Sequence, residues 1–240
     1  MGIGDVFWSR GDMTEARFYF NDAQRINPNF APGWLAEGDL LAYWGYCDEA
    51  LEVYDIATKK DPNLTGAWCK KADILLSLGR HEDALQAYDA ALMVDPKFAL
   101  AWSGKCSALI NLHRHTKALD ACEEALRLNP NMTRIWCLKG RQLYEIGRYK
   151  ESLEASEKSL ELDPQSSAWD IKGAALSGPG KYEDATECFN KSLDLNPRSS
   201  EALFHKSEAL RSLGRISEAD TALVRARELG YKDASESTPE

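Results

Sequence analysis

The chain has 240 residues, of which 44% are hydrophobic, 10% aromatic and 28% charged, and this composition excludes a disordered chain. Its formal net charge of −9 argues against a nucleic-acid-binding surface, because such surfaces need clustered Lys and Arg side chains. No apolar stretch approaches the ~20 residues of a membrane-spanning helix, and the first residues lack the basic flank and apolar run of a signal peptide. We therefore expect a cytoplasmic protein that binds no membrane.

Proline and tryptophan recur along the chain with a common period. Six of the nine prolines are separated by 34, 34, 34, 34 and 33 residues, at Pro28, Pro62, Pro96, Pro130, Pro164 and Pro197. Five of the seven tryptophans follow the same intervals, at Trp34, Trp68, Trp102, Trp136 and Trp169. Because two rare residue types are in phase, the period predicts one repeat array rather than one or two separate domains.

Each repeat is predicted to contain two short helices. In the repeat at residues 65–98, Trp68 and Leu75 lie on the apolar face of the first helix, and Gly79 supplies the left-handed residue that ends this helix. Glu82 opens the second helix, where the helix dipole favours an acidic side chain, and Pro96 ends it. A unit of two ~13-residue helices cannot bury its apolar face alone, so the units must stack.

In chain order, the pattern predicts a single array over residues 1–233. It begins with an incomplete repeat over residues 1–30, and six full repeats follow at 31–64, 65–98, 99–132, 133–165, 166–199 and 200–233. Residues 234–240 form a polar tail that we expect to be disordered.

The phased positions read W-x3-G-x2-L…G-x4-A-x3-[YF]-x2-A-x4-P, as between Trp68 and Pro96, where Ala72 occupies the first glycine position. This pattern resembles the tetratricopeptide repeat (TPR) family over essentially the whole chain. The resemblance implies an all-α fold, an α-solenoid in which helix-turn-helix units form a right-handed superhelix. It also implies a concave groove, lined by the first helix of each repeat, that binds peptides or helices.

No residue pattern supports catalysis, a metal site or a cofactor, so we expect the chain not to be an enzyme. The string Ser177–Lys181 lacks the spacing of a phosphate-binding loop and is interpreted as the turn between two helices. His113 occupies the turn glycine position and has no ligand partner at metal-binding spacing. The six cysteines include no C-x-x-C pair and are predicted to be free, mostly buried thiols.

A lysine follows the first-helix anchor residue by three positions in five repeats, at Lys71, Lys105, Lys139, Lys172 and Lys206. One interpretation packs the lysine stem on a neighbouring helix and leaves the ammonium in solvent. The alternative is a basic stripe that binds an anion.

The resemblance places a mixed set of side chains in the groove, namely Asp39, Asp73, Leu76, Ser107, Ile110, Arg134, Arg141 and Tyr144. Aspartates and apolar residues occupy the N-terminal half, and two arginines lie beside a tyrosine in the middle. We therefore expect a non-catalytic protein–protein interaction scaffold. Its partner is an amphipathic or extended segment, basic toward the N-terminal half, with an acidic group at the arginines. The alternative is that these residues are merely solvated.

The N-terminal unit concentrates Phe7, Trp8 and Phe18 where no earlier repeat covers them. Such an apolar end predicts either self-association as a homodimer or additional upstream sequence, unless the rings pack internally. A third possibility is that the chain is the adaptor part of a larger enzyme or regulator.

Overall fold

The computed structural model describes residues 13–232, and within them the regular secondary structure is thirteen α-helices without a strand. The chain divides into two compact units, Met1–Leu128 and Asn129–Glu240. The first unit contains α1 (Met13–Ile26), α2 (Ala31–Tyr43), α3 (Cys47–Lys60), α4 (Thr65–Ser77), α5 (His81–Val94), α6 (Ala99–Asn111) and α7 (His115–Leu128). The second contains α8 (Thr133–Glu145), α9 (Tyr149–Leu162), α10 (Ser166–Ser177), α11 (Tyr182–Leu195), α12 (Ser200–Ser212) and α13 (Ile216–Glu228).

Each helix packs on the next one along the chain within its unit, and the first helices of successive repeats also touch. In the first unit α2 contacts α4 and α4 contacts α6, while in the second unit α8 contacts α10 and α10 contacts α12. The first helices of each unit therefore lie side by side. This arrangement confirms the all-α solenoid class. None of the described helices is long and apolar enough to span a membrane.

Small residues let the helices approach, and large ones fill the space between them. In the repeat of α4 and α5, Ala72, Ala84 and Ala91 are fully buried beside Leu75 and Tyr88, which are 2% and 1% exposed. Burial of a side chain such as Leu75 contributes roughly 1.5–3 kcal/mol relative to leaving it in water. Stacking of repeats completes this core, because Ala101 and Ala108 of α6 close its other side.

Tryptophan and proline are in phase because they are hydrogen-bonded to each other. The indole N–H of Trp68 donates to the carbonyl oxygen of Pro62, six residues earlier, at 3.0 Å. The same bond recurs at 2.8–3.0 Å in three further repeats, at Trp34–Pro28, Trp102–Pro96 and Trp136–Pro130. The tryptophan thus fixes the turn that enters its own first helix. In the fifth repeat the one-residue deletion brings Pro164 and Trp169 closer along the chain.

The lysine series joins neighbouring repeats. The Nζ atom of Lys71 on α4 lies 2.5 Å from Oδ1 of Asp55 on α3 and 5.4 Å from the ring centre of Trp68. Lys105 and Lys172 make the equivalent pairs, with Asp89 at 2.6 Å and Glu157 at 2.8 Å. Each ammonium therefore bonds an acid on the second helix of the preceding repeat and lies over a tryptophan ring. In these three repeats the ammonium groups are paired with acids and not free in solvent, which disfavours an anion-binding stripe there.

Two of the six cysteines contradict the prediction of free thiols. Cys106 on α6 and Cys122 on α7 are joined as a disulfide, with an S–S distance of 1.98 Å and their Cα atoms 5.3 Å apart. They face each other because their positions in the first and second helix of one repeat meet in its core. The other four are free thiols, as predicted. Burial, with a smaller effect from nearby Asp73, raises the pKa of Cys69 to about 12.

The turn between the two helices of a repeat needs a left-handed residue. Gly79 has φ +75°, and the N–H of Arg80 donates to the carbonyl oxygen of Leu75, which closes the C-terminus of α4. His113 occupies the same position after α6 with φ 54°. The string Ser177–Lys181 is likewise a turn, as predicted, in which Gly180 has φ +87°.

Replacing His113 by Gly is expected to stabilise the chain by up to about 1 kcal/mol, because a side chain in the left-handed region crowds the backbone. The reverse change, Gly79→His, is expected to destabilise by a similar amount. Urea unfolding of both variants measures the two effects. A lower urea midpoint for His113→Gly would contradict the assignment of strain to this turn.

Candidate partner-binding surfaces

The first unit brings the two predicted aspartates together on its row of first helices. Asp39 lies on α2 and Asp73 on α4, and Nζ of Lys70 is 3.6 Å from Oδ1 of Asp39. The pKa of Asp73 is raised by desolvation and by the charge of Asp39, against the opposing effects of the Tyr88 hydroxyl and Lys70. The two carboxylates therefore lie on first helices that contact each other. Further along the row, Leu76, Ser107 and Ile110 are half-buried.

Each of these aspartates is held by a tyrosine from the repeat core. The hydroxyl of Tyr54 donates to Oδ1 of Asp39 at 2.8 Å, and that of Tyr88 donates to Oδ1 of Asp73 at 2.5 Å. Both tyrosines are 1% exposed. Burial and the nearby Asp39 raise the pKa of Tyr54 far above its ordinary value, so its hydroxyl stays protonated and donates. The core thus fixes the orientation of carboxylates that remain at the surface.

Sequence reasoning missed this pairing, although the repeats contain a signal for it. Among the six full repeats, the first-helix position of Asp39 and Asp73 is an aspartate only in these two repeats. They are also the only two whose second helix provides a core tyrosine. The other four repeats combine Ser107 with Cys122, Arg141 with Ser156, Ala174 with Phe189, and Glu208 with Leu223. Asp39 and Asp73 therefore serve the packing of their own repeats in addition to any contact with a partner.

The second unit has a pocket of about 170 Å³ built from three successive first helices. The predicted residues Arg141 and Tyr144 of α8 line it, and Arg134, which is exposed on the same helix, does not. Asp170, which the family alignment also places at a groove position, is a further charged member, and the sequence prediction did not name the remaining ones, Glu145, Glu201 and His205. Tyr231, which follows α13, completes the wall.

Two ion pairs organise this pocket. Asp170, only 4% exposed, has its Oδ1 atom 3.0 Å from Nδ1 of His205. Desolvation lowers the pKa of His205, but the hydrogen bond and charge of Asp170, together with Glu201, outweigh this effect and raise it. Nη2 of Arg141 lies 3.2 Å from Oε2 of Glu201, and both of these side chains are largely accessible to solvent.

Between residues 13 and 232, no three His, Cys, Asp or Glu side chains converge as a metal site. Phe18, predicted for self-association, is 66% exposed on α1 and lies edge-on to Tyr19. Phe7 and Trp8 lie outside the described residues, so the proposed homodimer remains a prediction.

Comparison with known families decides the assignment. Family models described as Tetratricopeptide repeat match residues 1–30, 35–103, 104–167 and 173–230. The chain belongs to the tetratricopeptide repeat family. TPR proteins are generally non-catalytic and bind protein or peptide partners, so the fold supports a protein–protein interaction scaffold.

Solved TPR structures are similar in fold. YrrB, a TPR protein with an unusual peptide-binding site, is 23% identical, with a TM-score of 0.69 over 77% of this chain and 95% of that chain. MamA from Desulfovibrio magneticus RS-1 is 22% identical, with a TM-score of 0.63 over 74% and 98% of the two chains. A TPR protein from Parabacteroides merdae is 18% identical, with a TM-score of 0.69 over 97% and 92%. No curated protein matches the chain.

Proposed function

We propose that this TPR chain is a non-catalytic scaffold that binds a basic or amphipathic segment of a partner protein along the first helices of its repeats. The main support is the pair of carboxylates, Asp39 and Asp73, that core tyrosines hold at one face of the first unit. Oriented carboxylates favour a basic segment, and the neighbouring half-buried Leu76 and Ile110 suit apolar side chains between the charges. The similarity to YrrB, a TPR protein with a peptide-binding site, agrees with this use.

The test must separate the charge of the aspartates from their role in the core. The double variant Asp39→Asn and Asp73→Asn removes both charges but keeps an oxygen that can accept from each tyrosine. The matched control, Tyr54→Phe with Tyr88→Phe, removes both hydrogen bonds and leaves both charges. Reversing the charge of the aspartates would disturb charge and packing together, so it is the less informative change.

Peptides are first selected on the wild-type chain from a phage-displayed random library, and the affinity of the best one is measured by fluorescence anisotropy. The asparagine pair is expected to weaken a basic peptide about tenfold, or ~1.4 kcal/mol, with little change in urea stability. The phenylalanine pair is expected to cost about 1–2 kcal/mol of stability per site and to change affinity less. Unchanged affinity in the asparagine pair, or selection of no peptide, would count against the proposal.

A further inference from the structure

The pocket of the second unit contains more negative than positive permanent charge. Three carboxylates, those of Glu145, Asp170 and Glu201, line it, whereas Arg141 is its one permanent cation. Asp170 is buried and has His205 as its partner, so it acts as a fixed element of the pocket floor. A positively charged ligand group complements this excess of carboxylates.

The walls of the pocket suit a cation as well. Tyr231 is stacked on Phe204 with the ring centres 4.2 Å apart and the planes within 14°, which holds its ring in place. Tyr144 on α8 lies near Tyr149, with ring centres 5.8 Å apart. The faces of aromatic rings attract Lys and Arg side chains, and their stems gain apolar contact at the same time.

The existing pair between Arg141 and Glu201 does not prevent entry of a second cation. Its two side chains are 41% and 54% exposed, and pairs this accessible contribute little to stability. Glu201 can therefore exchange Arg141 for a cation of the ligand at low cost. Glu145, exposed at the edge of the pocket, provides another carboxylate for the same cation.

We infer that this pocket receives a Lys or Arg side chain of the bound segment, against Tyr144 and Tyr231 and paired with Glu201 and Glu145. The inference rests on the proposed function, because it specifies one side chain of the segment that the scaffold binds. It differs from the sequence prediction of an acidic group at Arg141, because carboxylates outnumber arginine in the lining of the pocket.

Small probes test the pocket without a known partner. The full chain, labelled with ¹⁵N, is titrated with N-acetyl-arginine methylamide and N-acetyl-lysine methylamide, while amide chemical shifts are recorded. The corresponding glutamine and glutamate derivatives are the neutral and acidic comparisons. The cationic probes are expected to shift the signals of Asp170, Glu201 and His205 along saturable curves.

Two variants give opposite expected effects. Glu201→Gln is expected to weaken the cationic probes about two- to fivefold, and Arg141→Gln to tighten them by a similar factor because it removes the competing cation. The control Glu161→Gln, which alters an exposed carboxylate paired with Lys158 on α9, is expected to leave affinity unchanged.

Preferential binding of the glutamate probe, or loss of binding in Arg141→Gln, would identify an anion site and overturn the inference. Absence of shifts at the pocket with every probe would also overturn it. The two proposals fail separately. If selected peptides bind the aspartate face but no probe shifts the signals of the pocket, only this inference is rejected. Probe binding at the pocket without any selected peptide rejects the proposed function and leaves the pocket as a site for a cationic side chain of another source.

Discussion

Replacing Gly104 by alanine is expected to destabilise the chain by about 1–3 kcal/mol, although alanine is the better helix former by ~1 kcal/mol. Gly104 lies within α6, and a Cβ atom there would overlap the hydroxyl end of the Tyr88 ring. That ring has no free space to move into, because it is 1% exposed and its hydroxyl is bonded to Asp73. Either Tyr88 leaves its position and loses the hydrogen bond, or α6 shifts away from α5.

Gly66→Ala is the matched control for this change. Gly66 is also helical, within α4, but a Cβ atom added there would have Cδ2 of Leu35 as its nearest neighbour at 3.6 Å, an ordinary contact. This variant is expected to stay within about 0.5 kcal/mol of the wild type, because Gly66 lies in the first turn of α4, where helix propensity matters less than in the interior. Urea unfolding of both variants gives the comparison. If Gly104→Ala is as stable as the wild type, the close packing of Tyr88 against α6 is wrong.

The architecture was predictable because it depends on local rules that repeat. Gly79 and Pro96 mark helix ends through backbone conformation, and their period shows where each helix pair begins. The tryptophan period follows from a bond to a proline carbonyl six residues away, which is also local. Such signals act within one repeat, so a single sequence contains them several times over.

Contacts that depend on a particular neighbour were not predictable in this way. Gly104 lies at a position where the other repeats have unrelated residues, among them Lys70, Leu138 and His205. A residue with a Cβ atom does not fit at this position, because Tyr88 of the preceding repeat occupies the space. Tyr54, by contrast, packs on Gly38 within its own repeat, where the pattern does expect a small residue. The disulfide between Cys106 and Cys122 was missed for a similar reason, since it is particular to one repeat.

The candidate site shows the same division. Arg141 and Tyr144 were named because family alignment places their positions in the groove, and the structure places both in one pocket. Glu201 and His205 were not named, because their roles depend on how far α12 is offset from α10 and α8. The bond between His205 and Asp170 joins residues 35 positions apart, and that between Arg141 and Glu201 spans 60. Repeat phasing sets which face a residue occupies, but it does not set these cross-repeat distances.

Truncating Phe189 to alanine is expected to cost about 3–5 kcal/mol, the largest single effect predicted for the second unit. Its ring is 0% exposed on α11 and packs on Gly173, where a Cβ atom would overlap it. It lies in a core cluster with Leu176 and Cys188, so removal of the ring leaves a cavity that neighbouring backbones cannot close. Urea unfolding measures the loss, and Leu195→Ala on the same helix, 54% exposed, is the control expected within about 0.5 kcal/mol.

The Phe189 variant also connects core packing to the pocket above it. The His205 ring lies 5.8 Å from that of Phe189, centre to centre, so the cavity would remove the support beneath the pair with Asp170. The arginine probe is therefore expected to bind more weakly to Phe189→Ala, measured under conditions where the variant is still folded. Its affinity for Leu195→Ala is expected to be unchanged.

If Phe189→Ala leaves too little folded protein, Phe189→Leu, expected to cost about 1–1.5 kcal/mol, provides the same comparison. Because Phe189 has no polar atom, its removal tests packing alone. A large loss of stability with unchanged probe affinity would mean that the pocket is held by its ion pairs and not by the core.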